Sequence, residues 1–75
     1  MYYTLEKRAC FGGGSMESWW EFRSYQRKTA IGVLVGAKIL KKGTKTEVKK
    51  YLEKRGFTIG EEIRKNTLEV KKELI

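Results

Sequence analysis

A chain of 75 residues with 40% hydrophobic content and a net charge of +8 has room for one small domain with a marginal core. It contains no His, Asp or Pro and a single cysteine, Cys10. That excludes an intramolecular disulfide, a cysteine- or histidine-based metal site and any Ser–His or Cys–His nucleophile. A non-enzymatic role follows, with no catalytic residue, metal or cofactor expected. Two Trp, four Tyr and three Phe argue for a folded chain, since disordered segments are poor in aromatics. The first eleven residues lack the apolar stretch of a signal peptide. The longest apolar run, 30–40, is interrupted by Lys38 and is too short to span a bilayer, which takes about 20 residues. The expected location is cytoplasmic, with no membrane partner.

Taken in chain order, Tyr3, Leu5, Lys7 and Ala9 alternate with Tyr2, Thr4, Glu6 and Arg8, a strand pattern. Trp20, Phe22, Ser24 and Gln26 alternate in the same way with Trp19, Glu21, Arg23 and Tyr25. Ile31, Val33, Val35, Ala37 and Ile39 form a third alternating set, mostly β-branched. Helical spacing of Ala30, Val33, Leu34, Ala37 and Leu40 competes there, but Gly32 and Gly36 weaken a helix by about 1 kcal/mol each. Thr44-Lys45-Thr46-Glu47 is a capping box. Val48, Tyr51 and Leu52 follow as one apolar stripe, and Gly56 closes the segment, predicting a helix over 45–55. Thr58-Ile59-Gly60-Glu61 repeats the box, and Ile59, Ile63, Thr67, Val70 and Leu74 follow at helical spacing, with Leu68 and Ile75 widening the stripe. A hairpin of 57–63 and 68–74 competes, but no glycine occupies the turn at 64–67. The expected fold is therefore α+β: an N-terminal three-stranded antiparallel sheet followed by two C-terminal helices, in one domain over 1–75.

Gly12-Gly13-Gly14-Ser15 ahead of Met16 supports a second division of the chain. The run has the form of a flexible tether before a start methionine. On that reading 1–11 is a fused peptide, 12–15 a Gly-rich linker and 16–75 the domain. The domain is then helical or winged-helix-like, because Ser18-Trp19-Trp20-Glu21 is a further capping-box match.

The positive charge is localised. Residues 23–56 carry eleven basic side chains against Glu47 and Glu53, an excess of +9, while 1–22 sums to −1 and 57–75 to zero. A field of one sign attracts polyanions, although a solvated face that only maintains solubility has the same composition. Lys41, Lys42, Lys45 and Lys49 are the expected phosphate contacts at a helix start, supported by Arg23, Arg27 and Lys28. Trp20 and Phe22 are assigned to the core. Trp19 and Tyr25, on the opposite strand face with Arg23, are the candidates for stacking on bases. With five Arg, one Asn and one Gln, base-edge readout has little to work with, so backbone binding fits better.

Two function classes follow. The first is a small basic nucleic-acid-binding accessory or regulatory protein, acting on DNA or RNA. The second is a protein-interaction module or inhibitor of the phage or plasmid type, binding an acidic protein surface or a peptide. A chain this short also gains core by homo-oligomerisation. Gly43-Thr44-Lys45 leading into Glu47–Arg55 resembles the second helix of SAP-type DNA-binding modules. The likeness stops at 43–55, lacks the preceding helix and loop, and implies no residue role.

Overall fold

Gly13 and Gly14 both have positive φ, 60° and 82°. A two-residue type I′ hairpin turn demands such a pair, and glycine supplies it without a Cβ penalty. In the computed structural model, which describes residues 1–72, they join β1 (Tyr2–Gly12) to β2 (Ser15–Lys28). The pairing is antiparallel and unbroken, from Tyr2 opposite Tyr25 to Gly12 opposite Ser15. Residues 29–33 lead back into β3 (Leu34–Gly43). Phe22 faces Lys41 and Arg23 faces Ile39 across a bulge, which leaves Leu40 as the extra residue of β3. β1, β2 and β3 are consecutive neighbours in a larger sheet, but Ile31 and Val33, expected on the third strand, precede it.

The helix α1 (Lys45–Lys54) begins where the capping box puts it. Thr44 Oγ1 accepts from the Glu47 backbone N–H at 3.2 Å and donates to Glu47 Oε1 at 3.1 Å. Val48 and Leu52, one turn apart, are its buried residues.

The expected second helix does not form. Residues 57–72 make a hairpin of β4 (Phe57–Arg64) and β5 (Thr67–Lys72). Asn66 turns the chain with φ 61°, taking the left-handed conformation for which glycine was expected; asparagine is the side chain that tolerates it best. Thr58, expected as a cap, instead donates across the hairpin to the Lys71 carbonyl at 3.3 Å. Leu74 and Ile75, the end of the expected stripe, lie outside the described residues.

The sheet order is β3-β2-β1-β5-β4, antiparallel throughout, and β1 is its central strand. α1 links the two edge strands across one face. Beneath it Leu5, Phe22, Val48, Leu52 and Val70 form the buried cluster, and each is worth about 1.5–3 kcal/mol relative to exposure. Phe57 stands edge-on to both Tyr3 and Phe22, with ring centroids 5.0 Å apart in each case. The fold is mostly β, five strands and one ten-residue helix among the described residues, which replaces the α+β expectation. The helical or winged-helix-like alternative fails too, because Ser18–Glu21 lies inside β2.

Candidate nucleic-acid interface

Strand alternation sends Trp19 to the open face of the sheet and Trp20 to the helix face. Both stand beside the end of β3, since Trp20 pairs with Gly43 and Glu21 with Lys42. Lys42 Nζ lies 4.3 Å from the Trp19 ring centroid, and Lys45 Nζ lies 5.0 Å from that of Trp20. On the helix, Tyr51 receives Lys41 Nζ at 5.7 Å and the Arg55 guanidinium at 4.4 Å. All four contacts fall within cation–π reach, about 6 Å. The β3–α1 corner is thus a belt of cations resting on aromatic rings. Lys49, exposed, continues it one helical turn beyond Lys45.

The remaining candidates sit elsewhere. Arg27 and Lys28 are exposed at the far end of β2, about 24 Å from Trp20 along a strand rising about 3.4 Å per residue. Arg23 is engaged internally: its Nη2 is 2.6 Å from Glu21 Oε1. Tyr25 is not an exposed ring. It is buried, and its hydroxyl donates to Glu6. Trp19 is half-buried, with its Nε1 donating to Glu21 Oε2 at 2.7 Å.

These internal contacts belong to a polar network on the sheet face away from the helix. Glu6 and Glu21 stand directly opposite one another and are 4% and 3% exposed, an arrangement that repels unless neutralised. Arg8 bridges them, with Nη2 3.1 Å from Glu6 and Nε 3.8 Å from Glu21. Thr4 Oγ1 adds a hydrogen bond to Glu6 at 2.7 Å. Burial pushes the Glu21 carboxyl up, but the donors Trp19 and Arg23 and the charges of Arg23 and Arg8 outweigh it and hold it below the usual glutamate value. For Arg23 burial works against the charge, and Tyr25, Glu21 and Glu6 more than restore it.

Compared with family models, curated proteins and solved structures, the chain matches none. The chemistry of the corner must therefore be read from its own side chains. Among the described residues no carboxylate forms an ion pair with Lys41, Lys42, Lys45 or Lys49. The helix start itself is occupied, because the Glu47 carboxylate folds back onto Thr44 and lies beside Gly43. A phosphate would meet the lysine ammonium groups rather than the backbone N–H groups of α1. Sequence reasoning did not single out Trp20, Tyr51 and Arg55 for this belt. The spacing of Tyr51 and Arg55, i and i+4 on one helix, was the available signal for those two. Among the described residues no helix is long and apolar enough to cross a membrane.

Proposed function

We propose that this chain is a non-enzymatic nucleic-acid-binding accessory or regulatory protein of the cytoplasm. It grips phosphate backbone with Lys41, Lys42, Lys45 and Lys49. The observation that supports this reading is the gathering of lysines at the β3–α1 corner, three resting on aromatic rings and none neutralised by a carboxylate among the described residues. A cation–π contact at an exposed site is worth about 0.5–1 kcal/mol, little enough to be given up to a phosphate. Lysine reads charge rather than base edges, and two of the five arginines are held in the Glu6–Glu21 network. The binding is therefore independent of sequence. Arg27 and Lys28 are too remote to share one short contact.

Four lysine–phosphate contacts give a slope of log affinity against log salt of about −3.6 on duplex and about −2.8 on single strands. The test is fluorescence anisotropy with labelled duplex DNA, single-stranded DNA and RNA across a salt series. Lys45→Glu with Lys49→Glu, both on exposed positions, should weaken binding and flatten the slope by about 2. Absence of binding to all three at low salt, or an unchanged slope in the double variant, would overturn the proposal.

A further inference from the structure

The β1–β2 hairpin is longer than the sheet that supports it. β5 pairs with β1 only over Tyr3–Glu6, and β3 pairs with β2 only from Trp20 onward. Beyond Lys7, whose N–H still donates to the Asn66 carbonyl at 2.8 Å, the two strands form an arm whose ladder runs only between themselves. At its end Phe11 stands opposite Met16, 75% and 70% exposed. From Ala9 to Ser18 the arm carries one charge, Glu17. Isolated two-stranded ribbons are marginal in water, and an apolar pair at the tip of one is a surface awaiting cover.

The opposite end of the molecule holds a cavity of about 680 Å³, within the range of pockets that take sizeable ligands. Its walls include the apolar side chains of Tyr2, Val33 and Ile63, each about half exposed; Glu69 is paired there with Lys71 at 3.6 Å, and Lys28, Arg64 and Lys72 leave the rim net positive. Apolar tip matches apolar wall, and Glu17 beside Met16 matches the basic rim. Elsewhere two copies of charge +8 repel. Tyr2 and Phe11 are separated by the length of β1, about 30 Å at 3.3 Å per residue, so no arm can reach its own cavity.

We propose that the Phe11–Met16 tip of one copy inserts into the Tyr2–Val33–Ile63 cavity of a second copy. The contact joins two different patches, so copies associate tip to cavity, in a chain, a ring or a reciprocal pair. It uses none of the lysines of the β3–α1 corner, and its failure leaves the nucleic-acid reading untouched.

The experiment is sedimentation velocity of the full chain over a concentration series, without nucleic acid. The wild type should associate as concentration rises. A tip variant, Phe11→Ser with Met16→Ser, and a cavity variant, Val33→Asp with Ile63→Asp, should each stay monomeric at those concentrations. Mixed together, they should form a one-to-one dimer, because one intact tip and one intact cavity remain. Far-UV circular dichroism establishes that each variant is folded. Glu17→Lys supplies a milder perturbation: it should weaken association, and Lys72→Glu in the partner copy should restore it. A wild type that stays monomeric throughout, variants that associate as the wild type does, or a mixture that forms no dimer would each overturn the proposal.

Discussion

Replacing Gly36 with alanine tests the geometry of β3 directly. Gly36 has φ 77°, and a Cβ there would lie 2.9 Å from Gln26 Cβ and 3.0 Å from Gln26 Cγ. A left-handed conformation costs an L-residue about 1–2 kcal/mol. The contact is well inside the optimal carbon–carbon separation, about 3.5–4.0 Å, and a Cβ cannot rotate away from it, so relief requires the two strands to shift. That adds about 1 kcal/mol, at the lower end of overpacking costs. The stiffer unfolded chain of alanine returns about 0.4–1 kcal/mol. The net loss is about 1–3 kcal/mol, a fall in Tm of about 5–20 °C for a domain of this size. Thermal unfolding followed by circular dichroism reads it. Repeating the measurement in a Gln26→Gly background removes the contact and leaves the dihedral strain, so Gly36→Ala should cost about 1 kcal/mol less there. An unchanged or raised Tm in the single variant would refute the left-handed assignment. Equal losses in both backgrounds would refute the contact.

Two further predictions concern the open face. Glu21 is held ionised by Trp19, Arg23 and Arg8, so its native pKa lies below the ordinary value of 4.5. Its stabilising contribution is complete above about pH 4.5 and is lost as pH falls through the lowered native value. Glu21→Gln should therefore be less stable than wild type at pH 7 and show a flatter decline of Tm below pH 5; parallel acid limbs would contradict this. Tyr25→Phe removes one donor from the buried Glu6 carboxylate and should cost about 1.5–3 kcal/mol. A urea midpoint unchanged from wild type would show that the hydroxyl contributes nothing there.

The local signals in the sequence were legible where one residue type has one use. The Thr44–Glu47 box marked a real helix start, and β1 and β2 alternate as strands do, whereas Ile31 and Val33 of the third alternating set lie ahead of β3. The β4–β5 hairpin was hidden by two features. Asn66 performs the turn in place of glycine, and a helical reading fits the same residues. β4 shifts register between Ile59 and Glu62 and again between Glu62 and Arg64. The shifts alter the pairing with β5, while in sequence Phe57, Ile59 and Ile63 still alternate. Ile59, Ile63, Thr67 and Val70 fit a helical period as well, and the capping-box match at Thr58–Glu61 favours the helix. Ile63, placed on the helical stripe, is 46% exposed, while Thr67 is buried. At the site, alternation showed which side chains share a face but not what covers it. Tyr25 shares the open face with Trp19 as expected, yet Glu6 and its donors bury it. Once Gly13 and Gly14 are taken as the turn, the register places Glu6 opposite Glu21, so the carboxylate pair was within reach of the pattern. The placement of Lys45 over Trp20 was not, because it depends on where a helix and a distant strand meet.

The central position of β1 governs the order in which this protein can fold during synthesis. β1 is made before the other four strands, but one of its two neighbours is β5, and Leu5 waits for Leu68. Until that last hairpin emerges, the nascent chain can hold the β1–β2–β3 meander and α1, with one edge of β1 unpaired and Val70 missing from the buried cluster. Contacts so distant in sequence form slowly, and an open edge strand recruits other chains in the interval. Completion of the sheet is thus a late event that depends on residues 67–72.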